Sequence, residues 1–179
     1  MNYRSHLRFP SRERGAVLVV ALLMLLVMTV LGVTAMQMSR MEERMAGNSR
    51  DINLAFQGAE AGLRDSEERL RQRLVRPSTC SAAPCEIFAL GLMPTDMRSP
   101  DATWWATNAR SYGASATQEI TDSTRDPLEV TEDLGFVPDS LTVGHGPPEG
   151  RNFYRITANS TGASSTAQAI VESTYAKRY

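Results

Sequence analysis

The chain has 179 residues, 42% hydrophobic and 22% charged, which suits one modest domain plus an extension and excludes wholesale disorder. Its formal net charge of -1 excludes a strongly basic nucleic-acid binder. Of its 19 basic side chains only Lys177 is a lysine, so nearly every cation is an arginine.

The first predicted element is a basic leader, residues 1–15, with Arg4, Arg8, Arg12 and Arg14 against Glu13. From Gly15 to Ser39 there is no charge, and most side chains are Leu, Val, Met or Ala. About 25 such residues make a helix of roughly 37 Å, enough for a hydrocarbon core of ~30 Å. Positive charge before an apolar span holds that side in the cytoplasm, so the remainder is expected to be exported. Three fates of the leader compete. The span is an uncleaved anchor, a secretory signal cut after Val33-Thr34-Ala35, or a helix freed by cleavage between Gly15 and Ala16. A secretory signal has an apolar part of about 7–15 residues, shorter than this one. Composition alone does not choose among the three.

Beyond the span the helical period continues. Met38, Met41, Met45, Ile52, Phe56, Ala59, Leu63, Leu70 and Leu74 recur at threes, fours and sevens, a stripe on one face. Ile52, Phe56, Ala59, Leu63, Leu70 and Leu74 are expected to pack on the exported domain. Pro77 disfavours helix at Arg76, so the helix is predicted over 16–76, with 16–39 in the membrane and 40–76 amphipathic. Gly47-Asn48 is a candidate soft point, because Gly in an exposed helix costs about 1 kcal/mol relative to Ala. Gly58 and Gly62 form a G-x-x-x-G, which close packing on the domain would explain.

Residues 77–179 are loop-rich. Cys80 and Cys85 are the only cysteines, and after export they read as a disulfide. A metal site would need two further ligands, and His145 is the only histidine beyond the leader. The Trp104-Trp105 pair reads as core aromatics, with an exposed partner contact as the other reading. Leu128-Glu129-Val130-Thr131 is a candidate strand. Phe153–Asn159 and Ala167–Tyr175 alternate apolar and polar residues around the turn Ser160–Ser164, an antiparallel hairpin. With one more strand this gives an α+β fold, a long helix on a small antiparallel sheet. No G-x-S-x-G, Walker loop, H-E-x-x-H or EF-hand run occurs. Glu132-Asp133, Asp122 and Asp126 read as solvated turns rather than an acid/base pair. No catalytic, cofactor-binding or metal-binding residues are expected, and the chain is not read as an enzyme.

Arg14-Gly15 followed by Ala16-Val17-Leu18-Val19-Val20-Ala21-Leu22-Leu23 resembles the leader and start of a type IV prepilin. Met41-Glu42-Glu43-Arg44-Met45-Ala46-Gly47-Asn48 and Leu54-Ala55-Phe56-Gln57-Gly58-Ala59-Glu60-Ala61-Gly62-Leu63 resemble the N-terminal region of PilX-type minor pilins. Phe153–Ala158 and Val171–Tyr175 resemble that family more weakly. The resemblance implies a pilin-like fold, cleavage between Gly15 and Ala16 by a prepilin peptidase, and N-methylation of Ala16. Two positions depart from the general prepilin pattern: Ala16 stands where Phe is usual, and Val20 where an acidic residue is usual. The second departure is typical of PilX-like pilins. The implied partners are other minor pilins, the major pilin, a tip adhesin and the inner-membrane assembly platform. The implied role is priming of pilus assembly at a tip complex, with twitching motility and adhesion as outputs. The implied location is the inner membrane, with the C-terminal domain periplasmic, and then the pilus. The alternatives are a type II secretion pseudopilin without the acidic fifth residue and a membrane-anchored periplasmic enzyme or binding protein.

Overall fold

The computed structural model describes residues 14–113, 120–139 and 149–179. His6, the leader up to residue 13 and the His145 loop lie outside these residues. The chain divides into two units after Ala46.

In the first unit, helix α1 begins at Arg14 and its apolar side chains are exposed. Among the described residues this is the one helix long and apolar enough to cross a membrane. The hydroxyls of Thr29 and Thr34 turn back onto the carbonyls of Leu26 and Leu31, at 2.8 and 2.9 Å. Neither hydroxyl is left without an acceptor, as an apolar surrounding requires. Helix α1 continues through Gly47-Asn48 to Gln72.

The second unit is α+β. The rest of α1, residues 47–72, lies on a four-stranded sheet of β1 (Arg110–Ser111), β2 (Leu128–Pro138), β3 (Gly150–Thr161) and β4 (Gln168–Lys177). The strand order follows the chain, β1-β2-β3-β4, and every neighbouring pair is antiparallel. Alternation along β3 sends Tyr154, Ile156 and Ala158 to the helix side, where they meet Ala59, Leu63, Leu70 and Ile87. The opposite face carries Val130, which packs with Phe88, Met93, Met97 and Trp105. The sheet is therefore buried between the long helix and a cover made by residues 85–109. That cover includes a short helix, α2 (Ala102–Asn108), for which the sequence reading named no element. The Asp101 carboxylate accepts the Trp104 N–H at 2.8 Å and starts the helix. Trp105 is buried, Trp104 is half-buried, and their rings meet edge to face at 5.4 Å.

The helix approaches β3 so closely because the facing residues are small. A Cβ at Gly58 would lie 3.1 Å from the Ser160 Cβ. One at Gly62 would lie 3.2 Å from Pro127 and 3.4 Å from Ala158. The G-x-x-x-G thus receives the sheet.

Candidate functional site

The buried line of α1 runs Ala55, Ala59, Leu63, Ser66 and Leu70. Of the residues expected to pack on the domain, Ala59, Leu63 and Leu70 are on it; Ile52, Phe56 and Leu74 are not. Ile52 is 48% exposed and Phe56 49% exposed. Phe56 lies about 100° around the helix from Ala55, off the line of small residues that admits the sheet. Ile52 follows Asp51, whose carboxylate accepts from the Ser164 N–H and hydroxyl in the β3–β4 turn. That contact holds the Asp51 carboxyl below its usual range. Leu74 is 92% exposed and lies past the end of the helix, which closes at Gln72 rather than Arg76. The terminal carbonyls are taken there by Lys177, whose ammonium donates to Leu70 O at 2.5 Å, to Arg71 O at 2.9 Å and to Arg73 O. Burial, with the nearby Arg73 cation, lowers the Lys177 pKa.

Strand β2 carries a feature that the sequence reading missed. Glu129, Glu132 and Asp133 are buried, not solvated, and each meets an arginine from a different segment. Glu129 faces the helix, where it accepts from Arg69 and the Ser66 hydroxyl, with Arg110 at 3.9 Å. Arg69 also meets Asp65 one turn earlier. Burial lowers the Arg69 pKa, Arg110 adds to this, and Asp65 and Glu86 oppose it. Glu132 accepts from Arg155 at 2.5 Å and from the Gly91 N–H at 2.7 Å. Asp133 meets Arg76 at 2.8 Å, and that bond raises the Arg76 pKa. A legible signal existed: arginine's planar fork suits buried carboxylates better than lysine, and the chain uses arginine almost exclusively. Arg69–Glu129 and Arg76–Asp133 tie the helix and its exit segment to the sheet, and Arg155–Glu132 ties β3 to β2.

Cys80 and Cys85 are bonded, with Cα atoms 5.9 Å apart. The bond closes a segment that extends the sheet beyond β2. Phe88 N–H donates to Thr131 O at 2.8 Å and Asp133 N–H to Phe88 O at 2.9 Å; Cys80 pairs with Phe88 in turn. A cleft of about 420 Å³ beside the bond is lined by Pro84, Cys85, Glu86, Thr107, Asn108, Ala109 and Arg110. Among the described residues no cluster of three or more His, Cys, Asp or Glu side chains is placed to hold a metal. Gly15, Ala16 and Val20 lie on consecutive exposed turns of α1 in the first unit.

Two family models match, PilX N-terminal over residues 14–64 and type IV pilus assembly protein PilX C-term over residues 70–177. The chain belongs to the PilX family of type IV pilus assembly proteins. Searches of the curated proteins and of the solved structures gave no significant match. PilX membership supports a minor-pilin role and interaction with other pilus components, and the apolar start of α1 fits a single-pass, membrane-anchored pilin. Two of the β2 ion pairs, to Arg69 and Arg76, tie the helix and its exit to the sheet in this chain.

Proposed function

We propose that this chain is a minor pilin that primes type IV pilus assembly from a tip-located complex with other minor pilins and an adhesin. Twitching motility and adhesion are its outputs. The observation that carries the tip placement is Val20. After cleavage between Gly15 and Ala16, Val20 is the fifth residue, where pilins usually carry an acidic side chain that pairs with a neighbour's N-terminal amine. A charge in the bilayer centre costs ~2.5–3.5 kcal/mol on insertion scales, so such a pair is favoured over a lone charge. This subunit offers its Ala16 amine to an acidic neighbour but has no carboxylate to return. It makes the contact in one sense only, which suits the end of an assembly.

The leader, residues 1–15, is removed by the prepilin peptidase and the Ala16 amine is methylated. Residues 16–39 span the inner membrane, and residues 77–179 with the amphipathic half of the helix are periplasmic, as the arginine-rich leader favours. The assembly platform and the major pilin are the partners during extrusion. Intact-mass measurement of the membrane-extracted protein tests the processing step. A chain starting at methylated Ala16 is expected; one starting at Met1 or Met36 contradicts it. Deleting the gene should strip the cell of most surface pili, and supplying the chain should restore them. Undiminished piliation in the deletion strain contradicts the priming role.

A further inference from the structure

Strands at sheet edges expose unpaired N–H and C=O groups, and proteins blunt such edges with short strands, bulges, prolines or covering segments. The sheet here has two edges, and they are treated differently. On one side β1 is two residues long and covers only Leu128 and Glu129. The next stretch of β2 is covered by the disulfide-closed segment through Phe88. Beyond that, the ladder is broken by a bulge between Asp133 and Gly135, where Gly135 has a φ of 105°, and β2 stops at Pro138. Every device is used on that edge.

Strand β4 forms the other edge, and among the described residues none of them is used there. Its ten residues, Gln168–Lys177, pair with β3 in unbroken register. They contain no proline or glycine, and Glu172 is the one charge before Lys177. Among the described residues β4 pairs with β3 alone. Both layers that cover the sheet reach β4: Ala169, Val171 and Tyr175 pack at the margin of the helix-side core, and Ile170 at the margin of the opposite one. All four remain half-buried. The sheet ends inside its own sandwich, as though one strand short.

We propose that the β4 edge docks an extended segment of a partner polypeptide, added antiparallel to β4 as a fifth strand. The segment alternates apolar residues, so that one face completes the burial of Val171 and Tyr175. It carries a lysine or arginine opposite Glu172, which is exposed and, among the described residues, accepts from the Thr157 hydroxyl at 3.4 Å but has no cationic partner. The partner is not a second anchored copy of this chain. Ser164 sits beside Asp51, Ser173 donates to Glu67 at 2.9 Å, and Lys177 meets Leu70, so β4 runs in the same sense as residues 47–72 of the helix. Two copies joined antiparallel through β4 would hold these helices antiparallel. The apolar segments that precede Gly47 would then leave from opposite ends, and one bilayer could not take both.

The test places the photoreactive residue p-benzoylphenylalanine at Glu172, Thr174 or Ala176, one at a time, in the full-length chain in piliated cells. All three side chains are exposed. An intact Cys80–Cys85 bond and an unchanged melting transition verify the fold of each variant. The expected result is a cross-link to one other polypeptide, several-fold stronger than from the exposed helix position Arg64. Its attachment point should step back two residues toward the partner's N-terminus for each two-residue step forward along β4. Attachment to this chain itself, to a second copy, to lipid or to scattered peptides overturns the proposal. So does an attachment point that steps forward, or no cross-link at all.

Discussion

Lys177 closes helix α1 across more than a hundred residues of chain, its ammonium donating to the Leu70 carbonyl at 2.5 Å. The last four carbonyls of a helix have no partner within it, and cations are favoured beside them. The only lysine of the protein sits in the last strand and serves the end of the first helix. Lys177→Met should therefore fray the last turn of α1 and cost about 1–2 kcal/mol of stability. Amide exchange should speed up in residues 69–73 while β3 stays protected. Unchanged exchange there would show that the cap is without consequence.

The Arg69–Glu129 pair gives a prediction with a built-in control. The Glu129 side chain is 1% exposed, so Arg69→Met leaves a buried carboxylate with the neutral Ser66 hydroxyl and, among the described residues, Arg110 at 3.9 Å as its remaining cation. Breaking a buried pair on one side typically costs about 3–5 kcal/mol, and replacing both partners by apolar residues is often neutral. Arg69→Met should lower the melting temperature strongly, and Arg69→Met with Glu129→Leu should recover most of the loss. A double variant as unstable as the single one would contradict this account of the pair.

Two glycines of the same helix should respond in opposite directions. Nothing lies within 4 Å of a Cβ built at Gly47, so Gly47→Ala should raise helix stability by up to about 1 kcal/mol. Gly58 faces Ser160, and Gly58→Leu should force the helix off β3 and cost about 1–3 kcal/mol. Thermal melts of the two variants in the same detergent provide the comparison.

The disulfide supports a sheet edge more than a core. Cys80→Ser with Cys85→Ser should cost about 2 kcal/mol in the chain-entropy view. Its local signature should be faster exchange at the Asp133 amide, which donates to Phe88 O at 2.9 Å. Protection at Ile156 in β3 should persist.

The parts of the fold legible in sequence were those written in one strong period. The charge-free run gave the apolar half of α1, and alternation gave β3 and β4; β3 extends beyond Phe153–Asn159 at both ends, and β4 starts one residue after Ala167 and runs two past Tyr175. Strand β2 was seen only over Leu128–Thr131. Its continuation holds Glu132, Asp133 and a bulge, and it is stabilised by arginines distant in sequence, which no local pattern reveals. Counting large apolar residues placed Ile52 and Phe56 on the packing face, whereas close approach selected Ala55, Gly58, Ala59 and Gly62. Helix α2 had a readable start in Asp101, but at seven residues it is too short to show a helical period.

The position of the chain along intact pili tests the proposed tip role most directly. Gold-labelled antibody against the folded domain, applied to wild-type pili still attached to cells or sheared from them, should mark one end of each fibre and leave the shaft bare. Val20→Glu, which restores an acidic fifth residue, should let the label enter the shaft or reduce pilus number. Label spread evenly along wild-type shafts would contradict the tip placement.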